Sequence, residues 1–104
     1  MKLHQAIEKA KANDQMAFNF LLEYFWNDVF GFLIKRTQNE NDAEDITIET
    51  FFKAFDKIHS FNPDYRFKTW LITIAKNTHL DSIKRQNSIF KIRTSEEDEK
   101  RIYW

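Results

Sequence analysis

The sequence predicts an all-α fold: a compact bundle of three main helices preceded by a short one. Three observations carry that expectation. The 104 residues contain one Gly and one Pro, too few turn-makers for a many-stranded sheet but enough for a few long helices. Apolar residues recur at three- and four-residue steps along most of the chain. They also make up 42% of it, with eleven Phe and three Trp, which is ample for one core in a chain of single-domain length.

The elements follow in order. Residues 1 to about 12, through Ile7 and Ala10, form a short amphipathic helix, and Asn13 or Asp14 caps the next one. That helix runs to about Thr37, with Phe18, Leu21, Leu22, Phe25, Val29, Phe32 and Leu33 on one face. It is the central buried helix, and Gly31 within it suggests a close approach by a neighbour. Gln38–Asn41 breaks the pattern, after which Asn41 or Asp42 caps a further helix. Glu44 and Asp45 are expected in its first turn, where the helix dipole favours negative charge. Ile46, Phe51, Ala54, Phe55 and Ile58 form its inward stripe, and Asp45, Glu49 and Lys53 share an exposed face at four-residue steps. Ser60–Tyr65 is a loop around the single Pro63. The last main helix covers about Phe67–Gln86, with Trp70, Leu71, Ile74, Ala75 and Thr78 inward. Residues 1–87 constitute the domain, and residues 88–104 are expected to be a linker or tail helix.

The formal net charge of zero hides a division. Residues 39–56 carry six acids against Lys53, a net −5, whereas residues 66–93 carry seven bases against Asp81, a net +6. Such segregation suits two partners of opposite charge, or two helix faces that attract one another. The absence of Cys excludes disulfides and thiolate metal sites and is compatible with a reducing cytosol. No apolar run approaches the ~18 residues of a membrane span, and the first residues do not read as a signal peptide. The expectation is a cytoplasmic protein without membrane insertion.

Catalysis finds little support in the residues. His4, His59 and His79 are scattered, and no Gly-rich phosphate loop occurs. Asp45 and Glu49 have a spacing that could ligate a metal, but no second pair accompanies them. Neither enzymatic activity nor a cofactor nor a metal is expected.

Three ordered segments carry a resemblance. Asn41–Phe55, read as NDAEDITIETFFKAF, resembles the polymerase-binding helix of extracytoplasmic-function sigma factors. Ile58–Leu71, IHSFNPDYRFKTWL, is similar to that family's promoter-reading loop and the start of the following helix. Ile74–Asp81, IAKNTHLD, followed by Lys84-Arg85, resembles its next signature. About residues 14–87 are covered, and they look like the family's region 2. The family's second DNA-binding domain, which reads the upstream promoter element, is not expected within these residues.

The resemblance implies two interfaces. In the family an acidic helix face docks on a coiled coil of the RNA polymerase largest subunit. Asp45 and Glu49 occupy the matching positions, Lys53 extends the face, and carboxylates there can accept charge-assisted hydrogen bonds. Ile48 stands where the family usually has Gln, so an apolar contact replaces a polar one. The second interface is with promoter DNA, mainly the separated non-template strand of the downstream (−10) element. Phe61, Asn62, Asp64 and Tyr65 suit a pocket for an unstacked base, although Phe61 and Tyr65 would serve the core equally well. Asn77 matches the family's base-contacting Asn, and Lys76, Lys84 and Arg85, assisted by Lys68, suit phosphates. An anti-sigma factor is a further implied partner. The alternative is a stand-alone protein-binding module that occupies polymerase or an anti-sigma factor without directing initiation.

Overall fold

The computed structural model describes residues 1–103, with side-chain surroundings through Ser88. Four helices follow one another: α1 (Leu3–Lys11), α2 (Gln15–Thr37), α3 (Glu40–Asp56) and α4 (Phe67–Tyr103). A single 3-10 turn, Ile58–Ser60, begins the α3–α4 connection, and the described residues contain no strand. The all-α expectation is met, with α4 continuing beyond its expected end near Gln86.

The α1–α2 joint takes three residues, Ala12, Asn13 and Asp14. Asn13 adopts a left-handed conformation (φ 64°), which Asn tolerates better than most residues. The Asn13 amide donates to the Ala10 carbonyl and the Asp14 amide to that of Lys9, so the last carbonyls of α1 are satisfied. Asp14 then starts α2, its carboxylate accepting from the Met16 amide at 2.9 Å and the Ala17 amide at 3.4 Å. Of the two expected caps, Asn13 therefore closes one helix and Asp14 opens the next.

The α2–α3 joint departs from expectation by a few residues. Gln38 takes the left-handed position (φ 53°) and donates to the Ile34 carbonyl. The cap of α3 is Asn39, whose side chain accepts from the Asp42 amide at 3.0 Å, rather than Asn41 or Asp42. The first-turn acids are consequently Glu40 and Asp42, and Glu44 and Asp45 fall one turn later. Both Asn39 and Asn41 have the chemistry of a cap; the length of the link from Gln38 selects the earlier one.

α2 is central, packing against α1, α3 and α4. Ala17, Leu21, Phe25, Val29 and Leu33 are buried along its axis, while Phe18, Leu22, Trp26, Phe30, Phe32 and Ile34 pack around them half-buried. A helix with neighbours on three sides must be apolar around most of its circumference. Gly31 is not explained by close packing, because a Cβ placed there meets nothing within 4 Å. α3 buries Ala43, Ile46, Phe51 and Ala54 together with two threonines. The hydroxyls of Thr47 and Thr50 donate to the carbonyls of Ala43 and Ile46, both at 2.6 Å, so their burial leaves no unpaired polar group.

Aromatic contacts anchor the loop end of the bundle. Phe67, at the start of α4, lies 5.2 Å from Phe25 and 5.2 Å from Phe61 between ring centroids, and Trp70 lies 5.1 Å from Phe61. These contacts hold the entry of α4 and the end of the 3-10 turn against α2. The loop between them is thus short, exposed and tied at both ends.

Candidate functional site

Helical geometry divides the outward side of α3 into two strips. Asp45, Ile48, Phe52 and Asp56 recur at three- and four-residue steps and give an acid, two apolar groups and a second acid along one line. Ile48 is 46% exposed and Phe52 77%, unusual values for large apolar side chains paired on one face. Together with Phe18, Leu22 and Trp26 of α2 they line an open groove of about 960 Å³. Asp45, Glu49 and Asp56 also border it, with Lys53 beside Glu49, so its floor is apolar and its rim carries three carboxylates and one ammonium.

The second strip is turned toward α4. Glu49 is half-buried and reaches Lys53 at 3.6 Å and the Arg85 guanidinium at 3.4 Å; Lys53 in turn reaches Asp81 at 3.8 Å. Four charges alternate in sign across the α3–α4 seam. The expected common face of Asp45, Glu49 and Lys53 is therefore shared between two neighbours. Asp45 and Glu49 stand on a ridge and also border a polar cleft with Arg36, Thr37, His79 and Ser82. Pairs this exposed contribute little each, about 0–1 kcal/mol, and they leave the carboxylates accessible to a stronger partner.

The loop and α4 form the other surface. Asn62 organises the loop: its side chain accepts from the Asp64 amide at 3.0 Å and its carbonyl from the Tyr65 amide at 3.0 Å. Asn62, Asp64 and Tyr65 are exposed, Tyr65 at 70%. Phe61 is only 4% exposed and packs on Phe67 and Trp70, so its main contacts are with the core. Along α4, Phe67, Leu71, Ala75 and Thr78 are buried, which turns Lys76, Asn77 and Lys84 outward, all exposed. Lys68 is exposed and pairs with Asp28 of α2 at 3.6 Å. Lys76, Asn77 and Lys84 thus share one side of α4, whereas Lys68 and Arg85 are each drawn toward an acid on another helix.

Two features escaped the sequence reading. His79 is buried at the α2–α4 contact, where its Nδ1 accepts from Arg36 Nε at 3.0 Å. Burial, and then the neighbouring guanidinium, hold its pKa below the ordinary imidazole value. Arg36 also lies over the Phe32 ring, 5.5 Å from the centroid. The spacing of His79 from Ala75 and Thr78 was its only signal. Phe52 was masked by Phe51: adjacent helical residues point about 100° apart, so an inward Phe51 leaves Phe52 outside.

Comparison with known proteins bears on the family and the fold. Residues 21–89 match the family described as Sigma-70 region 2. The ECF RNA polymerase sigma factor SigW of Bacillus subtilis is 31% identical over 86 residues, covering 83% of this chain and 46% of that protein. The ECF RNA polymerase sigma-E factor of Haemophilus influenzae is 40% identical over 72 residues, covering 69% of this chain and 38% of that protein. The chain thus spans less than half the length of these curated relatives. Among solved structures, an engineered region 2 of sigmaE in complex with GTAAAA superposes with a TM-score of 0.78 at 29% identity, covering 84% of this chain and 90% of that one. The order of elements, the acidic α3 and the loop leading into a polar α4 face accompany an extended sequence match, and the chain belongs to the sigma-70 region 2 family as a region 2 domain of the ECF sigma factor type.

Proposed function

We propose that this domain docks on the coiled coil of the RNA polymerase largest subunit through α3 and holds the separated non-template strand of the −10 promoter element with the loop and α4. The observation that supports it best is the segregation of the two surfaces. The α2–α3 groove combines exposed Ile48 and Phe52 with a carboxylate rim of Asp45, Glu49 and Asp56. That combination suits an amphipathic basic helix, whose apolar side chains fill the groove while Arg or Lys meets the rim. Ile48 then contributes apolar contact in place of a polar one.

On the other surface, Asn77 offers an amide that can both donate to and accept from a base edge. Lys76 and Lys84 beside it neutralise phosphates and position the strand without reading it. Tyr65 is exposed beside the loop and presents a π-face on which a base can stack. The domain performs no bond chemistry in this reading; RNA synthesis belongs to the polymerase, and the domain acts in the cytoplasm where polymerase is. An anti-sigma factor that covers the groove would compete directly with polymerase.

Calorimetric titration with the coiled-coil fragment of the largest subunit tests the docking half. Saturable binding that Asp45→Ala and Glu49→Ala each weaken about three- to tenfold is the expected result. No binding by the folded wild-type chain would refute it.

A further inference from the structure

The α2–α3 groove has a chemical counterpart on α4 of the same chain. Lys76, Leu80 and Lys84 recur at four-residue steps and share one line along α4, with Ile83 beside it. Leu80 and Ile83 are each 38% exposed, and both lysines are exposed. The line reads base, apolar, base. On α3 the line Asp45, Ile48, Phe52, Asp56 reads acid, apolar, apolar, acid, with Phe52 77% exposed. At a rise of about 1.5 Å per residue, the two acids stand about 16 Å apart along their helix and the two lysines about 12 Å apart. The flexible four-carbon lysine stems cover that difference.

The two lines cannot meet within one chain. Asp81 and Arg85 occupy the side of α4 that faces α3, where they reach Lys53 at 3.8 Å and Glu49 at 3.4 Å. Helical geometry turns Leu80 about 140° and Lys76 about 180° away from Arg85. Asp81, the one acid of residues 66–93, is thus held on the α3 side rather than in the lysine line. The chain as a whole has a formal net charge of zero, so no overall repulsion opposes the approach of a second copy.

We propose that a second copy of this chain lays its Lys76–Leu80–Lys84 line into the α2–α3 groove, so that copies associate head to tail. Leu80 and Ile83 of one copy cover Ile48 and Phe52 of the other, while the two lysines meet Asp45 and Asp56. The contact is heterologous: each copy in a pair keeps one free face, and a further copy can add there. Its regulatory consequence rests on the function proposed above. A pair hides the groove of one copy and the Asn77 face of the other, so self-association excludes both the coiled coil and the strand.

Sedimentation equilibrium of the full chain tests the contact without polymerase or DNA, and its outcome is therefore independent of the docking reading. The weight-average mass should rise with concentration between about 5 and 500 µM, as for a small transient interface. Salt at about 1 M should shift that rise at least about threefold higher in concentration. Phe52→Asp and Leu80→Asp should each stay monomeric across the range, with circular dichroism showing both helical. Mixed in equal amounts, the two variants should form a two-chain species and nothing larger, because Leu80→Asp retains the groove and Phe52→Asp retains the α4 line. A mixture that stays monomeric while the wild type associates overturns the head-to-tail contact. Self-association by either variant alone, or a wild type that is monomeric throughout, overturns it as well. Excess coiled-coil fragment should dissociate the wild-type assembly; saturable binding without dissociation would refute the shared groove, whereas a fragment that does not bind at all counts against the docking reading alone.

Discussion

The outer surfaces of α3 and α4 are built on the same helical geometry and arrive at opposite chemistries. α3 turns Ile48 and Phe52 into the solvent between Asp45 and Asp56, giving an apolar floor with an acidic border. α4 turns out Lys76, Asn77 and Lys84, a mainly polar and basic face in which the one large apolar side chain, Leu80, is only 38% exposed. The first suits desolvated contact with another helix, where buried apolar area supplies affinity and charge supplies register. The second suits a charged, flexible strand, where phosphate contacts supply affinity and one amide supplies choice. Their separation is incomplete: Glu49 of the first surface holds Arg85 of the second. A ligand that engages Glu49 competes for the partner of Arg85.

The sharpest way to break this contrast is to charge the apolar floor. Phe52→Asp should reduce affinity for the polymerase coiled coil about a hundredfold by calorimetry, the scale of a lost aromatic anchor, while single-strand binding changes less than about twofold. Comparable losses in both assays would mean that the surfaces are not independent. Asn77→Ala should weaken the preferred strand about tenfold and a scrambled strand much less. Lys84→Ala should weaken both strands alike and lower the salt-dependence slope by about one.

A third measurement concerns the contact beneath both surfaces. Because folding lowers the His79 pKa, the unfolded chain takes up the proton more readily. The stability contributed by neutral His79 is therefore present above the ordinary imidazole pKa and is lost as pH falls through it. Denaturant midpoints should drop between about pH 7 and 5, and His79→Gln, which retains an acceptor for Arg36 but does not titrate, should flatten that dependence. The smallest effect should come from Gly31→Ala. With open space at the Cβ position, it should stabilise the domain by about 0.5–1 kcal/mol, raising Tm by a few degrees while leaving both binding assays unchanged.

Much of the bundle was legible because helical periodicity is a local property. The inward positions Leu21, Phe25, Val29 and Leu33 recur every four residues and are all buried, and Asp14 carries the chemistry of a cap in its side chain. Caps were less certain where several candidates adjoin: Asn39, Asn41 and Asp42 compete within four residues, and Gln38 in its left-handed conformation decides among them. Gly31 misled for a related reason, since the residue signals permissiveness without saying whether a neighbour or only open space exploits it.

By itself the sequence determined the helices, their inward faces, the division of charge and the segments that resemble a sigma factor, because each depends on residues a few steps apart. Only the tertiary structure decided that Glu49 faces Arg85, that Arg36 meets His79 and that Phe61 lies in the core. It alone brought Ile48 and Phe52 beside α2 and formed a cleft between α1 and the loop. The two charged pairs join residues 36 and 43 positions apart. They are set by how whole helices pack against α2, a choice governed by the shape and burial of entire faces, which the identity of any single residue does not disclose.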